Sequence, residues 1–337
     1  QMSEQLWLIA KPDAVVRVFI DDSQVLEGYI DERERTLDKN DGSTLTIAGR
    51  DKGGRLVDES APFLSFAGLD IEELGKRLVT PWFPKVVLSN ARNRQLIKGK
   101  SRRSAKIGDE PAIVADRREA RKVEPGETTA CVLGFFLERA QLLAWSSSDG
   151  REFIIGKPNH DQGPQYFFLA PRKESQRWQE GNVKSFTYTE SVSERYSEIQ
   201  VCGSSRGNSE NYGPNVTKRT ATATSTAFFR RKRLVVSDDD VKTPTMAKAR
   251  ADREMALRDA RGVELTLQVP GFGQALGGDD TTRPALYAFD SVARWEDEET
   301  GVVGDYFITR VQFNRSKSDG DTTELHLVPR GTTLVSR

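Results

Sequence analysis

The sequence predicts a predominantly β protein of the α+β class, with two barrel-like antiparallel β domains and small mixed α/β units inserted into them. Segments in which apolar and polar residues alternate lie near both ends of the chain, as expected for half-buried strands. The helical patterns fall between these segments. A chain of 337 residues is long enough for two to four modules with cores of their own.

The first module is predicted to be a β-hairpin followed by a third strand. Residues 15–20 and 25–30 form the hairpin, joined by a turn of aspartate and serine. After a charged stretch, an Asn-Asp-Gly turn leads into a strand at 44–48. Alternation places Leu45 and Ile47 on one face of that strand.

Two helices are predicted in the next part of the chain. The first, at 71–79, has Asp70 as its N-cap and Glu73 to complete a capping box. The second, at 128–140, is apolar around most of its circumference, so we expect it to be buried on all sides. A hairpin of residues 142–145 and 152–155 should lie beside it.

The region from 181 to 262 combines strands with a long, charged helix. Strands are predicted within 181–202 and at 220–229, with the polar stretch 204–214 as a mobile loop. The helix, at 244–261, is capped by Thr243 and ends at Gly262. Because it is charged nearly all round, we expect it to lie on a surface or to bridge two bodies. Its thin apolar stripe consists of Met246, Ala249, Ala256, Leu257 and Ala260.

The last module is β again, and it completes the predicted domain organisation. Its strands are expected at 263–269, 285–289, 304–313 and 322–328. The predicted parts are a first β-barrel-like domain (1–90), an inserted α+β unit of helix plus hairpin (91–180), a second β-barrel-like domain (181–203 and 263–337), and an insertion with the mobile loop and the charged helix (204–262).

The overall composition gives little reason to expect a nucleic-acid or membrane partner. Fifty basic and fifty acidic residues cancel. No apolar run approaches the ~20 residues of a membrane-spanning helix, and no secretory signal opens the chain, so we expect a soluble protein. Cys131 and Cys202 lack paired spacing and are predicted to be reduced, mostly buried thiols. The opening Gln1-Met2 resembles the interior of a strand, so we expect that the natural start lies elsewhere.

One local cluster departs from this balance. Residues 92 to 106 include seven basic side chains and no acidic one: Arg92, Arg94, Lys98, Lys100, Arg102, Arg103 and Lys106. Such a cluster could attract a polyanion. However, no aromatic residues are interleaved for base stacking, and acidic residues follow from Asp109 onward. We therefore favour a solvated or intersubunit strand face over an anion or nucleic-acid site.

The residues that could carry chemistry do not form a recognisable set. His326 falls within an alternating strand, and His160 lies in a loop without a second histidine nearby. Asp238-Asp239-Asp240 lacks the alternating ligands and the glycine of a calcium loop, and we interpret it as negative charge before a helix. No carboxylate pair is singled out for glycoside hydrolysis.

Two further patterns are interpreted as structural. The glycine run that begins at Gly271 has the spacing GxGxxxG and leads to Pro284 rather than to a helix, so it is not a dinucleotide loop. The acidic residues 296–299 are predicted to form a solvated hairpin tip. We therefore predict no catalytic residues, no metal and no cofactor, and a structural protein rather than an enzyme.

The order of several landmarks resembles a known family. These landmarks are Gly28-Tyr29-Ile30-Asp31, Leu45 to Lys52, Leu56 to Ser60, Glu124 to Thr128, and Val269-Pro270-Gly271-Phe272. In this order they resemble the Mu-like phage tail proteins, the baseplate hubs of the wider contractile-tail hub or late-control family. The sequence departs from that family in lacking a further strand pair before the Gly28 region and in having a polar stretch at 277–283, where the family has a tryptophan-bearing hairpin.

The resemblance implies a homotrimer whose barrel-like domains form a pseudo-sixfold ring, joining the hexameric tail tube to the trimeric central spike. The implied partners are the tail tube protein, the central spike protein and baseplate wedge proteins, with no membrane partner. The implied location is the virion tail baseplate, with the host cytoplasm during assembly. The alternative is a cell-wall glycan-binding or hydrolysing tail-tip module, with a DNA-contacting protein as a third hypothesis.

Overall fold

In the computed structural model, the described residues are 7–39, 42–63, 65–66, 69–89, 121–140, 142–156, 162–203, 220–225, 230–238, 241, 244–275 and 284–330. The chain divides into two compact units, unit 1 (residues 1–157) and unit 2 (residues 158–337). The predicted fold class is confirmed, because the structure is predominantly β with a curled half-barrel sheet, several smaller sheets and a few helices.

Unit 1 begins with the predicted antiparallel sheet. Its strands are β1 (Val15–Ile20), β2 (Ser23–Asp38) and β3 (Gly42–Asp51), in the order β1-β2-β3. A bulge between Ile30 and Glu32 shifts the register of β2 against β3.

Glycines allow the close approach of β2 and β3 near this bulge. A Cβ atom on Gly28 would lie 2.7 Å from the carbonyl carbon of Arg50 and from the Cα atom of Asp51. A Cβ atom on Gly49 would meet the carbonyl oxygen of Tyr29. Both glycines belong to the landmarks quoted above, which gives that part of the pattern a steric reason.

The rest of unit 1 is a mixed α/β body with its own core. Its elements are α1 (Gly54–Asp58), β4 (Ser65–Phe66), α2 (Ile71–Val79), β5 (Lys85–Ser89), β6 (Arg121–Lys122), α3 (Thr129–Ala140), β7 (Leu143–Ser146) and β8 (Glu152–Gly156). The predicted cap is confirmed, since the Asp70 carboxylate accepts a 2.7 Å hydrogen bond from the Glu73 amide. The predicted hairpin is confirmed as β7 and β8, and β5 adds to it in parallel.

Helix α3 is less completely buried than predicted. Its apolar side chains Val132, Leu133, Phe136 and Leu137 pack into the core. Phe135 is only half-buried, and Cys131 is exposed, so the prediction of a buried thiol is wrong for Cys131. A helix that packs on one side of a small body keeps an outer face even where its residues are apolar.

Unit 2 is built on a six-stranded sheet. Its strands are β9 (Tyr166–Ala170), β10 (Ser185–Glu190), β14 (Val263–Pro270), β17 (Ser291–Asp297), β18 (Val302–Ser316) and β19 (Gly320–Pro329). They are arranged in the order β10-β14-β19-β18-β17-β9. All neighbours are antiparallel except β17 and β9, which run parallel. One face carries the core, with Trp295, Phe168, Leu265, Leu267 and Ile308 almost fully buried.

A second layer in unit 2 pairs a small sheet with the charged helix. The sheet has the order β12-β11-β13, from β11 (Glu198–Gly203), β12 (Thr220–Thr224) and β13 (Arg233–Asp238), and the helix is α4 (Pro244–Arg261). A short ribbon of β15 (Gly273–Gln274) and β16 (Ala285–Leu286) follows β14, and a 3-10 turn spans Trp178–Glu180.

The apolar stripe predicted for α4 is corrected by the structure. Ala247, Ala251 and Met255 form the buried face that packs on the sheet. These three residues recur every fourth position and face Ile199 and Val201 of β11. Of the predicted stripe, Leu257 is buried as expected, whereas Met246 is 41% exposed. Small alanines let the helix approach the sheet closely, which charge counting around the helix does not reveal. The predicted cap, Thr243, lies outside the described residues.

Strand pairing also differs from the predicted boundaries at two strands. β9, predicted within the inserted unit 91–180, joins the six-stranded sheet through β17. β11, predicted within the second barrel-like domain, pairs with β12 and β13 instead. Neither β9 nor β17 was predicted as a strand. Their short apolar or mixed runs lack the regular alternation of a half-buried strand.

Candidate functional site

The predicted histidine candidate lies on the polar face of the six-stranded sheet. His326 on β19 has its Nε2 atom 2.9 Å from Glu324 and its Nδ1 atom 3.4 Å from Glu264. Its cross-strand neighbours are Thr266 and Arg310. This is a hydrogen-bonded position on a sheet face, as the alternation predicted.

One arginine forms ion pairs with the acidic hairpin tip between β17 and β18. Arg177 forms ion pairs with Glu296 at 2.6 Å, Glu180 at 3.0 Å and Glu298 at 3.5 Å. A hydrogen bond from Ser175, with the Arg172 amide and the Arg177 charge, lowers the pKa of Glu298. A general acid for glycoside hydrolysis needs a raised pKa. Glu298 therefore lacks the raised pKa that this role requires.

The other predicted chemical candidates are dispersed. Asp238 forms a 3.3 Å ion pair with Arg250 of α4. In the described ranges no group of three or more histidine, cysteine, aspartate or glutamate side chains could hold a metal ion. Gly271, with φ 71°, forms a turn that leads into β15, not into a helix. The basic cluster 92–106, His160, Asp239 and Asp240 lie outside the described residues.

The tryptophans considered for a glycan platform have three different environments. Trp295 is 1% exposed in the core of unit 2, and its ring contacts the partly exposed ring of Phe186 on β10, at 4.9 Å between centroids. Trp178 is 54% exposed on the 3-10 turn of the same unit. Trp145 is half-buried on β7 in unit 1.

One edge of the six-stranded sheet is closed by side-chain amides. The Gln274 amide accepts a hydrogen bond from the Phe167 N–H and donates one to the Phe167 carbonyl, both at 2.9 Å. Asn182 similarly accepts from the Leu169 N–H at 2.9 Å and donates to the Phe167 carbonyl at 2.6 Å. The outward-facing backbone groups of β9 are thereby satisfied, which protects this edge against pairing with another strand.

The opposite edge of that sheet has a different character. β10 is the last strand on that side, and within the described ranges no strand pairs with its outer edge. Its side chains are mostly exposed, including Phe186 at 40%. The backbone groups of β9 are thus occupied, whereas no described strand pairs with the outer edge of β10. No local pattern in the sequence indicates this role of Asn182 and Gln274, because their partners lie more than ten residues away.

The three-stranded sheet of unit 1 exposes apolar side chains as well. Its exposed apolar residues are Val15 (57%), Val18 (43%), Phe19 (54%), Leu37 (79%) and Ile47 (41%). Leu37 and Ile47 lie in the part of the hairpin beyond the bulge, whereas Val15, Val18 and Phe19 lie on β1.

Ion pairs fix the end of this sheet that lies next to α1, which we call its base. Glu27 contacts Lys52 and Arg17, each at 2.6 Å, and these hydrogen bonds lower the pKa of Glu27 to about 2. Arg50 bridges Asp31 at 2.7 Å and Asp58 at 2.5 Å, and it lowers the pKa of both carboxyl groups. The base is thus held to α1 by charge pairs, in contrast to the part of the hairpin that lies beyond the bulge.

The described helices give no candidate for a membrane span, because none combines sufficient length with an apolar sequence.

Comparison with known proteins gives matches among solved structures. No family model matches the chain, and no curated protein matches its sequence. The tail protein from Neisseria meningitidis MC58 has a TM-score of 0.72 and 21% identity, covering 95% of this chain and 85% of that one. The 43 kDa tail protein of prophage MuSo2 from Shewanella oneidensis has a TM-score of 0.72 and 19% identity, covering 96% and 85%.

A more distant match is a prophage tail protein from Listeria monocytogenes EGD-e. Its TM-score is 0.53 with 12% identity, covering 93% of this chain and 78% of that one. At sequence identities this low, the matches show a similarity of fold. The resemblance predicted from the sequence landmarks is confirmed at that level: this chain has the fold of Mu-like phage tail proteins.

Proposed function

We propose that this chain is the structural hub of a contractile phage-tail baseplate. In this proposal three copies form a pseudo-sixfold ring that joins the hexameric tail tube to the trimeric central spike. The observation that carries it is the agreement in fold with two phage tail proteins over at least 95% of the chain.

The division of the chain supports a ring with two units per subunit. Each unit contains a β-sheet with an exposed edge or face, so three chains would supply six such units. Closure around an axis would cover surfaces that a single chain leaves in contact with water.

The proposed partners are the tail tube protein, the central spike protein and baseplate wedge proteins. The proposed location is the tail of the virion, with assembly in the host cytoplasm. The proposed role is non-enzymatic, and it fits an acidic hairpin tip in which Glu296 and Glu298 both form ion pairs with Arg177.

Sizing of the purified chain by light scattering tests the proposal. The expected result is a mass about three times the 37.7 kDa of one chain, with a threefold ring in negative-stain images. A monomer at micromolar concentration would contradict it. Incubation with purified peptidoglycan tests the glycan alternative, and we expect neither retention nor cleavage.

A further inference from the structure

The distal half of the β2–β3 hairpin, which we call the ribbon, comprises residues 32–38 and 42–48. β1 pairs with β2 only as far as Tyr29, so beyond the bulge β2 pairs with β3 alone. All but two of the ribbon side chains are exposed, the exceptions being Arg33 and Leu45. A two-stranded hairpin in water is at best marginally stable. The ribbon therefore requires a covering surface.

The cross-strand register divides the ribbon into two chemically different faces. The first face pairs Arg33 with Ile47, Arg35 with Leu45, and Leu37 with Ser43. We call it the basic face, although it also carries the three large apolar side chains of the ribbon. Leu37 is 79% exposed there.

The second face, the acidic face, carries the opposite charge. Its pairs are Glu32 with Ala48, Glu34 with Thr46, Thr36 with Thr44, and Asp38 with Gly42. Glu32 and Glu34 form no ion pair with a described residue. The nearest basic residue on this side of β3, Arg50, is bound to Asp31 and Asp58.

The two faces match each other in spacing as well as in charge. Arg33 and Arg35 are two residues apart on one strand, as are Glu32 and Glu34, so both pairs are separated by about 7 Å. The threonine methyl groups and Ala48 of the acidic face offer small apolar contacts for Leu37, Leu45 and Ile47. The Arg33 guanidinium stacks on Trp7, at 3.8 Å from the ring centroid, and donates hydrogen bonds to the Trp7 and Ala10 carbonyls of its own chain. Arg35 is therefore the arginine of the basic face that we assign to the contact with the next copy.

We propose that the ribbon is a subunit interface, in which the basic face of one copy packs against the acidic face of the next copy. A twofold contact would bring each face against its own kind and place like charges together. A head-to-tail contact joins opposite faces, and repeated around an axis it closes into a ring. This inference rests on the proposed function, because it assigns the contact by which the copies of the hub associate.

Charge reversal on the full chain tests the interface. Arg35→Glu cancels the net positive charge of the basic face, Glu34→Arg reverses one of the three negative charges of the acidic face, and the double variant exchanges the two charges. Dissociation is followed by analytical ultracentrifugation over a concentration series in about 0.1 M salt. Each single reversal should raise the concentration needed for assembly at least about tenfold, since like charges replace opposite ones in every contact. The double variant should return to within about threefold of wild type.

Two controls separate interface charge from other effects. Lys173→Glu makes the same change of charge as Arg35→Glu, but at an exposed turn of unit 2, and should leave assembly unchanged. In about 1 M salt the screening length falls from about 10 Å to about 3 Å, so the defects of the single variants should shrink. Circular dichroism of each variant checks that the chain is folded.

The outcomes distinguish this inference from the proposed function. A wild-type chain that remains monomeric contradicts both. A wild-type trimer that neither single reversal weakens overturns the ribbon contact alone, and would mean that another protein covers these faces. Weakened single variants without recovery in the double variant also overturn it, because the ribbon would then matter for a reason other than charge pairing.

Discussion

The substitution Gly28→Ala tests whether close backbone approach at the bulge determines the sheet of unit 1. An added Cβ atom would lie 2.7 Å from two backbone atoms of β3 and closer still to the Arg50 carbonyl oxygen. Non-bonded carbon atoms prefer separations of about 3.5 to 4.0 Å, so β3 would have to move by about 1 Å. The paired backbone cannot rotate away as a flexible side chain would.

The expected cost follows from this displacement. Overpacking in a well-packed site costs about 1 to 3 kcal/mol, and a clash with paired backbone belongs at the upper end, at about 3 kcal/mol. For a unit of this size each kcal/mol lowers Tm by about 2 to 4 °C, so the transition of unit 1 should fall by about 6 to 12 °C. Amide hydrogen exchange should accelerate first in β2 and β3.

Gly134→Ala is the matched control for this experiment. It is the same substitution in helix α3 of the same unit, where an added Cβ atom would meet nothing within 4 Å. Alanine is favoured over glycine in a helix interior by about 0.5 to 1 kcal/mol, so this variant should be stabilised. Urea unfolding of the full chain compares the two variants. Equal stability of Gly28→Ala and wild type, within about 0.5 kcal/mol, would refute the steric argument.

Three further predictions concern the core, the pH dependence and the closed sheet edge. Trp295→Ala should lower the unfolding free energy of unit 2 by about 3 to 5 kcal/mol because Trp295 is 1% exposed, whereas Trp178→Ala should change it by less than about 0.5 kcal/mol in the same urea titration. The pKa of Glu27 is lowered in the folded chain from 4.5 to about 2, so its contribution is present above pH 4.5 and is lost as the pH falls toward 2. Glu27→Gln should therefore reduce the loss of stability between pH 5 and pH 3, by urea midpoints, and an unchanged loss would contradict this assignment. Gln274→Ala removes the amide that satisfies Phe167 on β9 and should increase aggregation on heating, measured by light scattering, whereas Gln312→Ala on the face of the sheet should not.

The sequence shows only part of what defines the proposed ribbon interface. The alternation Glu32-Arg33-Glu34-Arg35 is visible in the chain, and with a period of two it separates the charges onto opposite faces of a strand. We predicted the segment only as a charged stretch. Its proposed role depends on β1 ending its pairing at Tyr29, which leaves β2 paired with β3 alone beyond that point.

Local patterns determined much of the fold by themselves. The cap of α2, the hairpin of β1 and β2, the hairpin of β7 and β8, and the extent of α4 follow from turn residues, alternation and capping, all of which act over a few residues. The sequence also determined the fold class, because strand patterns at both ends of the chain bracket the helices. The order of its landmarks predicted the fold of phage tail proteins.

Only the tertiary structure decided which strands share a sheet and which side chains are buried. β9 joins β17 across more than a hundred residues, and β11 lies between β12 and β13, because pairing depends on backbone groups that carry no local sequence signal. The buried face of α4 was decided by the sheet against which it packs, where Ala247 and Ala251 permit close contact. Strand and helix periods are properties of short segments, whereas edges, exposed faces and their partners arise when distant segments meet.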